Sequence, residues 1–476
     1  MLVYICKLKK YKKDISLLLV IAGSFFISLL HTNPVFSQDI NKNTEQENST
    51  NISYITPKKA EGLIISSIDL VGNNRTNDDV IEDNIELKEQ NIFTVEKLKI
   101  SLQNLKNLQV FSKIDVKLSL NKNNQIIIVF ELDEKWTLLP YFLAGSGGGT
   151  SYLVLGLYET NFIGRLYTFN FTYGCKNDNC STFVYFRNPS VLGSRFNLVN
   201  YMTREHNIFH TYNKNREVTG TFANKRDMLN LFTDIKITPT LFLGFGALYL
   251  KNDITDDGIN SSDTLTNKKN SYNSPPSSSS VALEGRLTLG KINYDGMKVD
   301  GVNFVSILDT TAESYKAQND NYTSLNSTLQ FYHPNINLGL FTIPLPRLSY
   351  LAIRSNISVT SSDVLSQQYF IGGLDKIRGF YDGEFSGKFS YFSNFELRIP
   401  SYVNDYFAIQ HALFSDVGYA SNTFPDMFSN YTGVSVGTGI RILPLKVNRV
   451  ALRIDCAYTL NPFHTYGFNF GLLQFF

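Results

Sequence analysis

The sequence predicts a mainly β protein: a 16-stranded antiparallel transmembrane β-barrel over residues 138–476, preceded by one small α/β domain over 62–136. Three observations carry that expectation. The first residues have the pattern of an export signal. The chain holds 36 Phe and 27 Tyr, yet once that signal is set aside no apolar run of about 18 residues remains to cross a membrane as a helix. Beyond Leu138, segments of about ten residues rich in aromatic and β-branched side chains recur between turns and polar loops, the pattern of a barrel wall.

Lys7, Lys9, Lys10, Lys12 and Lys13 precede an apolar run from Ile15 to Leu30, and Val35-Phe36-Ser37 follows ahead of Gln38. This reads as a secretory signal peptide over 1–37, cleaved after Ser37, in preference to an anchor helix. Without it, 44 basic and 42 acidic residues become 39 and 41, a net charge of −2. That balance gives no basic excess for binding nucleic acid. Residues 38–61 are rich in Asn, Thr, Ser and Glu, without apolar period, and read as a solvated flexible linker.

Within 62–136, Ile64 to Leu70 reads as a strand. Gly72-Asn73-Asn74 turns the chain toward Thr76, expected to cap a helix with Asp78 and Asp79 in its first turn. A second helix is expected after Thr94, with Val95, Leu98, Leu102 and Leu105 on one face. The period then becomes two. Ile114, Val116, Leu118 and Leu120 alternate with Asp115, Lys117 and Ser119, and Asn121 to Asn124 lead into a run from Ile126 to Phe130. The order is strand, helix, helix, strand, strand.

The barrel strands are expected at 138–145, 152–160, 166–174, 180–188, 194–203, 216–224, 240–250, 280–290, 301–311, 322–332, 345–358, 388–398, 407–416, 433–442, 448–458 and 466–476. Sixteen is an even number, as bacterial barrels require. Connections after odd-numbered strands include 203–215, the low-complexity stretch 251–279 and the long segment 359–387, and read as outward loops. The turn at 225–238 carries a helix-like Met228, Leu229, Leu231. Parity assigns the faces. Leu452, Ile454 and Tyr458 lie opposite Arg453 and Asp455, and the charges must face the lumen because a charge in mid-bilayer lipid costs roughly 2–4 kcal/mol. A soluble sandwich with one wet face would alternate too. Tyr466, Phe468, Phe470, Leu472 and Phe476 share one face of the closing strand, and a terminal aromatic such as Phe476 reads as a barrel assembly signal.

Cys175 and Cys180 flank four residues of a predicted outer loop, and a disulfide there suits an oxidising compartment; zinc would need two further ligands. Cys456 reads as a small apolar strand residue. His206 and His210 make a poor metal site, so no metal and no cofactor are expected. Gly433-Val434-Ser435-Val436-Gly437 fits a nucleophile-elbow pattern but continues as alternating strand, and Gly145 to Gly149 lacks the Gly-Lys-Ser/Thr ending that holds phosphate. No enzyme is expected.

Tyr369 to Phe380 contains Ile377-Arg378-Gly379-Phe380 between the eleventh and twelfth predicted strands. The tetrapeptide resembles the Val/Ile-Arg-Gly-Phe/Tyr signature on the sixth outer loop of the outer-membrane assembly and translocation superfamily that includes BamA, TamA and the two-partner secretion transporters. Asn161-Phe162-Ile163-Gly164 resembles its Asn-Phe-x-Gly turn, and Phe414-Ser415-Asp416-Val417-Gly418 its Phe-x-Asp-x-Gly strand motif. The domain at 62–136 resembles a single POTRA domain, so the resemblance covers about 62–476. It departs from the essential assembly factor, which carries several such domains.

Parity places Glu396 and Asp416 inside the lumen on adjacent strands, and a loop just before them carries Arg378 flanked by glycine. We therefore expect 359–387 to fold back into the lumen and Arg378 to pair with both carboxylates, each charged hydrogen bond contributing roughly 1.5–3 kcal/mol. On spacing alone a solvated loop arginine is equally compatible; the resemblance, in which the matching Arg and Asp interact, favours pairing. The resemblance implies a barrel in the outer-membrane lipid bilayer and a POTRA domain in the periplasm. It implies unfolded outer-membrane or secreted protein substrates, with periplasmic accessory proteins as further partners. Substrate would add as a strand to a sheet edge built by 114–120 or 64–70, then insert through a seam between 138–145 and 466–476 or pass through the lumen. The rival from a different class is a passive porin or adhesin-like barrel, which needs no Arg378 network.

Overall fold

The structure, a computed structural model, describes residues 55–147, 150–176, 179–255, 274–295, 297–315, 319–334, 349–373, 375–428, 431–447 and 451–472. The expected signal peptide and the terminal Phe476 lie outside the described residues. Among those described, no helix is long and apolar enough to cross a membrane.

The small domain comprises α1 (Pro57–Ala60), β1 (Ile65–Val71), α2 (Asp78–Glu82), α3 (Val95–Asn107), β2 (Phe111–Leu120) and β3 (Ile126–Glu134). Its sheet has the order β1-β3-β2, with β1 parallel and β2 antiparallel to β3. The central strand supplies Ile126, Ile128 and Phe130, all fully buried, against Leu98 and Leu105 of α3. Thr94 caps α3, its hydroxyl accepting from the Lys97 N–H at 3.2 Å.

Two expectations are corrected here. Thr76 is not a helix cap: Asn77 holds that position, because the Glu134 carboxylate at the end of β3 takes both the Thr76 N–H (2.8 Å) and its hydroxyl (2.5 Å). Residues 55–61, read as linker, belong to the domain. Ala60 is fully buried in its core and the Ile55 N–H donates to the Leu118 carbonyl at 2.9 Å.

The two edges of this sheet differ. The first half of the outer edge of β1 is covered by 89–92: Ile65 N–H donates to Asn91 O and Gln90 N–H to Ile65 O, both at 2.9 Å, and the Glu89 carboxylate accepts from Ile68 N–H. Along the outer edge of β2, the Ile55 to Leu118 bond is the backbone pairing found among the described residues.

The wall is one antiparallel sheet of sixteen strands: β4 (Leu138–Gly147), β5 (Thr150–Phe162), β6 (Tyr167–Lys176), β7 (Asn179–Asn188), β8 (Phe196–Tyr212), β9 (Val218–Thr238), β10 (Leu241–Thr255), β11 (Ser278–Asp295), β12 (Lys298–Tyr315), β13 (Asn319–Pro334), β14 (Tyr350–Thr360), β17 (Phe389–Val403), β18 (Phe407–Ser421), β19 (Gly433–Pro444), β20 (Leu452–Asn461) and β21 (Tyr466–Leu472). Two three-residue strands, β15 (Tyr369–Ile371) and β16 (Phe385–Gly387), pair inside the long loop between β14 and β17. The expected number and order of wall strands are those observed, but the ends move. Residues 225–238, read as a turn with helical character, are the second half of β9. Leu229 and Leu231 face outward there while Asn230 and Phe232 are buried inside. The expected loop 203–215 is mostly strand, since β8 and β9 pair from Phe196 up to Tyr212 and Val218.

Outward exposure follows parity. Leu153, Leu155 and Leu157 on β5, and Tyr466, Phe468 and Phe470 on β21, are exposed, as a lipid-facing surface requires. The sheet runs from β4 to β21 without closing: no ladder joins these two strands among the described residues. A Tyr152 hydroxyl donating to the Phe470 carbonyl at 3.3 Å crosses the seam.

The small domain touches one end of the wall, the inner end. The Asn107 amide donates to Asn293 Oδ1 at 3.1 Å and Lys106 pairs with Asp295 at 2.9 Å, setting α3 on the β11–β12 turn. We call the opposite opening the outer mouth.

Candidate functional site

Period-two alternation on β17, β18, β19 and β20 aims Glu396, Asp416, Arg441 and Asp455 at the lumen, where each is fully buried. A wall alone would leave these charges to water. Here the loop between β14 and β17 folds inward and delivers Arg378, also fully buried, into their midst. Its Nε and Nη2 donate to Asp416 at 2.7 and 2.8 Å, and its backbone N–H donates to the same carboxylate at 3.0 Å. Its Nη1 lies 3.0 Å from Glu396 Oε2 and 3.6 Å from Asp455. The guanidinium stacks 3.4 Å from the centre of the Phe414 ring. Planar bidentate pairing of this kind needs arginine, since a lysine ammonium offers no fork.

Glu396 is the hub of the cluster. One oxygen takes Arg378; the other takes Arg398 Nε at 2.8 Å and Arg441 Nη2 at 3.2 Å. Arg441 also donates to Asp455 at 2.6 Å, and Arg398 to the Tyr350 hydroxyl at 3.0 Å. Asn394 completes the site, its amide donating to Asp416 Oδ1 (2.9 Å) and to the Lys376 carbonyl (2.8 Å). Sequence reasoning placed Asp455 on the inward face but did not join it to Arg378, and the same alternation puts Asn394, Arg398 and Arg441 on that face. The signal was there: inward charges at matching registers on four consecutive wall strands.

The neighbours of Arg378 set the loop's path. Ile377 and Phe380 are buried with Ile371, Phe385, Phe392 and Ala420 in a small apolar cluster. Gly418 makes room for Ile377, whose Cδ1 would lie 2.7 Å from a Cβ there. Gly379 has φ +92°, a conformation that favours glycine, and lies against the last wall strand: a Cβ on Gly467 would sit 2.8 Å from Gly379 Cα. Gly467→Ala is therefore expected to displace the loop, an overpacking of about 1–3 kcal/mol. Heat-modifiable gel migration should be lost at a lower temperature than in wild type. Gly285→Ala, whose nearest neighbour atom is 3.9 Å away, should migrate as wild type.

Asn161, Phe162 and Gly164 lie elsewhere, at the junction with the small domain. The Asn161 amide donates to Thr76 Oγ1 at 2.8 Å, and Gly164 O accepts from Asn77 N–H at 3.0 Å. A Cβ on Gly164 would come 2.2 Å from the Arg75 carbonyl oxygen. Phe162 is half exposed. Cys175 and Cys180 form a disulfide across the β6–β7 hairpin, and the adjacent Lys176 pairs with Asp382 of the inward loop. Ser435 lies on β19, paired on both sides, where no helix follows it as a nucleophile elbow would need.

Residues 63–135 match the family model described as POTRA: Surface antigen variable number repeat. No curated protein matches the sequence. Among solved structures, the chain is similar to BamA from Haemophilus ducreyi lacking POTRA domains 1-3, with a TM-score of 0.50 and 14% identity over 86% of this chain and 84% of that one. It is similar to CdiB from Acinetobacter baumannii, with a TM-score of 0.55 and 13% identity over 86% and 74% of the two chains. For CdiB from Escherichia coli the TM-score is 0.55 and the identity 11%, over 87% and 76%. At these identities the likeness is one of fold.

Proposed function

We propose that this chain, a POTRA-plus-barrel protein of the BamA and TamA type, sits in the bacterial outer membrane with its POTRA domain in the periplasm and assembles or translocates outer-membrane or secreted proteins. The observation that carries the reading is the asymmetry of the POTRA sheet: β1 is bonded to 89–92 at Ile65 and Ile68, whereas among the described residues the outer edge of β2 is met only by Ile55. An extended substrate would add there through main-chain hydrogen bonds and reach a barrel whose first and last strands share no ladder among the described residues. The buried Arg378 cluster supports the same reading, because a barrel serving only as a passive pore has no need to fill its lumen with a loop held by three carboxylates.

The test is depletion of the protein followed by quantitation of the outer-membrane and secreted proteomes, with the expectation that a defined set of clients falls. A proteome identical to that of undepleted cells would overturn the proposal. A finer version uses Val116→Pro. The Leu118 backbone points outward toward Ile55, and by the two-residue period of the ladder so does that of Val116. Proline removes an outward donor without touching the β2–β3 ladder. Client levels should fall while the barrel keeps its heat-modifiable migration; unchanged client levels would rule out β2 as the receiving edge.

A further inference from the structure

We propose that Arg216, at the tip of the β8–β9 hairpin, is a positioning residue that latches the outer mouth shut by gripping the inward loop from its outer side. Its Nε and Nη2 each lie 2.7 Å from the Glu384 carboxylate oxygens, and its Nη1 donates to Thr465 Oγ1 at 3.1 Å. The guanidinium is caged by rings, 4.5 Å from the centre of Tyr381 and 4.6 Å from that of Phe463. Only 12% of the Arg216 side chain and 3% of the Glu384 side chain are exposed.

This is an unusual place for a buried ion pair. A hairpin tip is where side chains ordinarily meet solvent, and the neighbouring Lys214 and Asn215 do so. Arg216 instead holds a φ of +63°, uncommon for a residue with a side chain, and turns inward. The Tyr431 hydroxyl donates to the Lys214 carbonyl, a second tie on the same tip. The tie spans the opening. β8 and β9 are the fifth and sixth wall strands, while Thr465 and Phe463 belong to the hairpin between the fifteenth and sixteenth. The Arg216 contacts thus bind two distant parts of the rim to each other with Glu384 between them, and opening the mouth requires them to part.

The latch is separate from the Arg378 cluster and holds whatever the cargo is. Its test is the time-averaged conductance of the purified full chain in planar bilayers, for wild type, Arg216→Ala, Glu384→Gln and the double variant, each checked for heat-modifiable migration. Loss of a charge-assisted bidentate pair is expected to raise the open-to-closed ratio on the order of tenfold in either single variant. The double variant should conduct no more than either single one, since one latch is broken in all three. Folded single variants that conduct as wild type, or increases that multiply in the double variant, would overturn the proposal. Should Arg216→Ala fail to fold, the near-isosteric Glu384→Gln decides. No client is present in the bilayer, so wild-type conductance sinks the latch and leaves the assembly reading standing. Unchanged client levels on depletion do the reverse.

Discussion

Arg378→Ala should release the inward loop and cost the barrel about 3–5 kcal/mol, the penalty for removing one partner of a buried ion pair. The loss falls mainly on Asp416. In the wild type its carboxylate takes two guanidinium bonds, a backbone N–H and the Asn394 amide. Without the guanidinium it stays buried with no cation as near. Folded and unfolded forms can be separated by gel migration across a temperature series, and the variant should convert at a markedly lower temperature. Protease added to intact cells should also cleave within 372–388. A variant with the wild-type conversion temperature and the same resistance to cleavage would show that the arginine does not hold the loop.

Glu396→Gln is the second large effect, and its cause is arithmetic of charge. Arg378, Arg398 and Arg441 are served by Glu396, Asp416 and Asp455. The neutral amide keeps the shape and leaves three fully buried guanidiniums facing two carboxylates. The expected destabilisation is again about 3–5 kcal/mol. Combined with Arg378→Ala, the two effects should fall short of additivity by roughly 0.5–3 kcal/mol, since the first substitution already breaks a bond the second would lose. Strict additivity in the conversion temperatures would mean that the two residues act separately.

Alternation was the legible part of this protein. Because side chains on a strand face opposite ways in turn, Glu396 and Asp416 could be assigned to the lumen before any contact was known, and with them a destination for Arg378. The same rule puts Arg398, Arg441 and Asp455 inward, but which inward charges meet depends on strand register, which only the ladders fix. Residues 225–238 read as a helical turn because Met228, Leu229 and Leu231 look helical when taken alone. Against lipid the pattern is inverted, with Leu229 and Leu231 outside and Asn230 within. Arg216 left no local signal at all. Its partner Glu384 is 168 residues away, brought near by how far the β8–β9 hairpin extends. The Asn161 to Gly164 turn was recognisable as a motif, but its task, seating the small domain through Thr76 and Asn77, depends on docking between two folded units.

With the outer edge of β1 bonded to 89–92 at Ile65 and Ile68, a guest strand would, on the proposed reading, join the small sheet beside β2. Its backbone would supply the attachment, and its side chains would fall alternately toward α3 and toward the face where Lys113, Asp115 and Lys117 stand. On the proposed reading such a receptor would respond to rhythm rather than wording: a segment that alternates apolar and polar residues would satisfy it, whatever those residues are. Every stave of an outer-membrane barrel is written in that rhythm, and the sixteen wall strands here alternate in the same way.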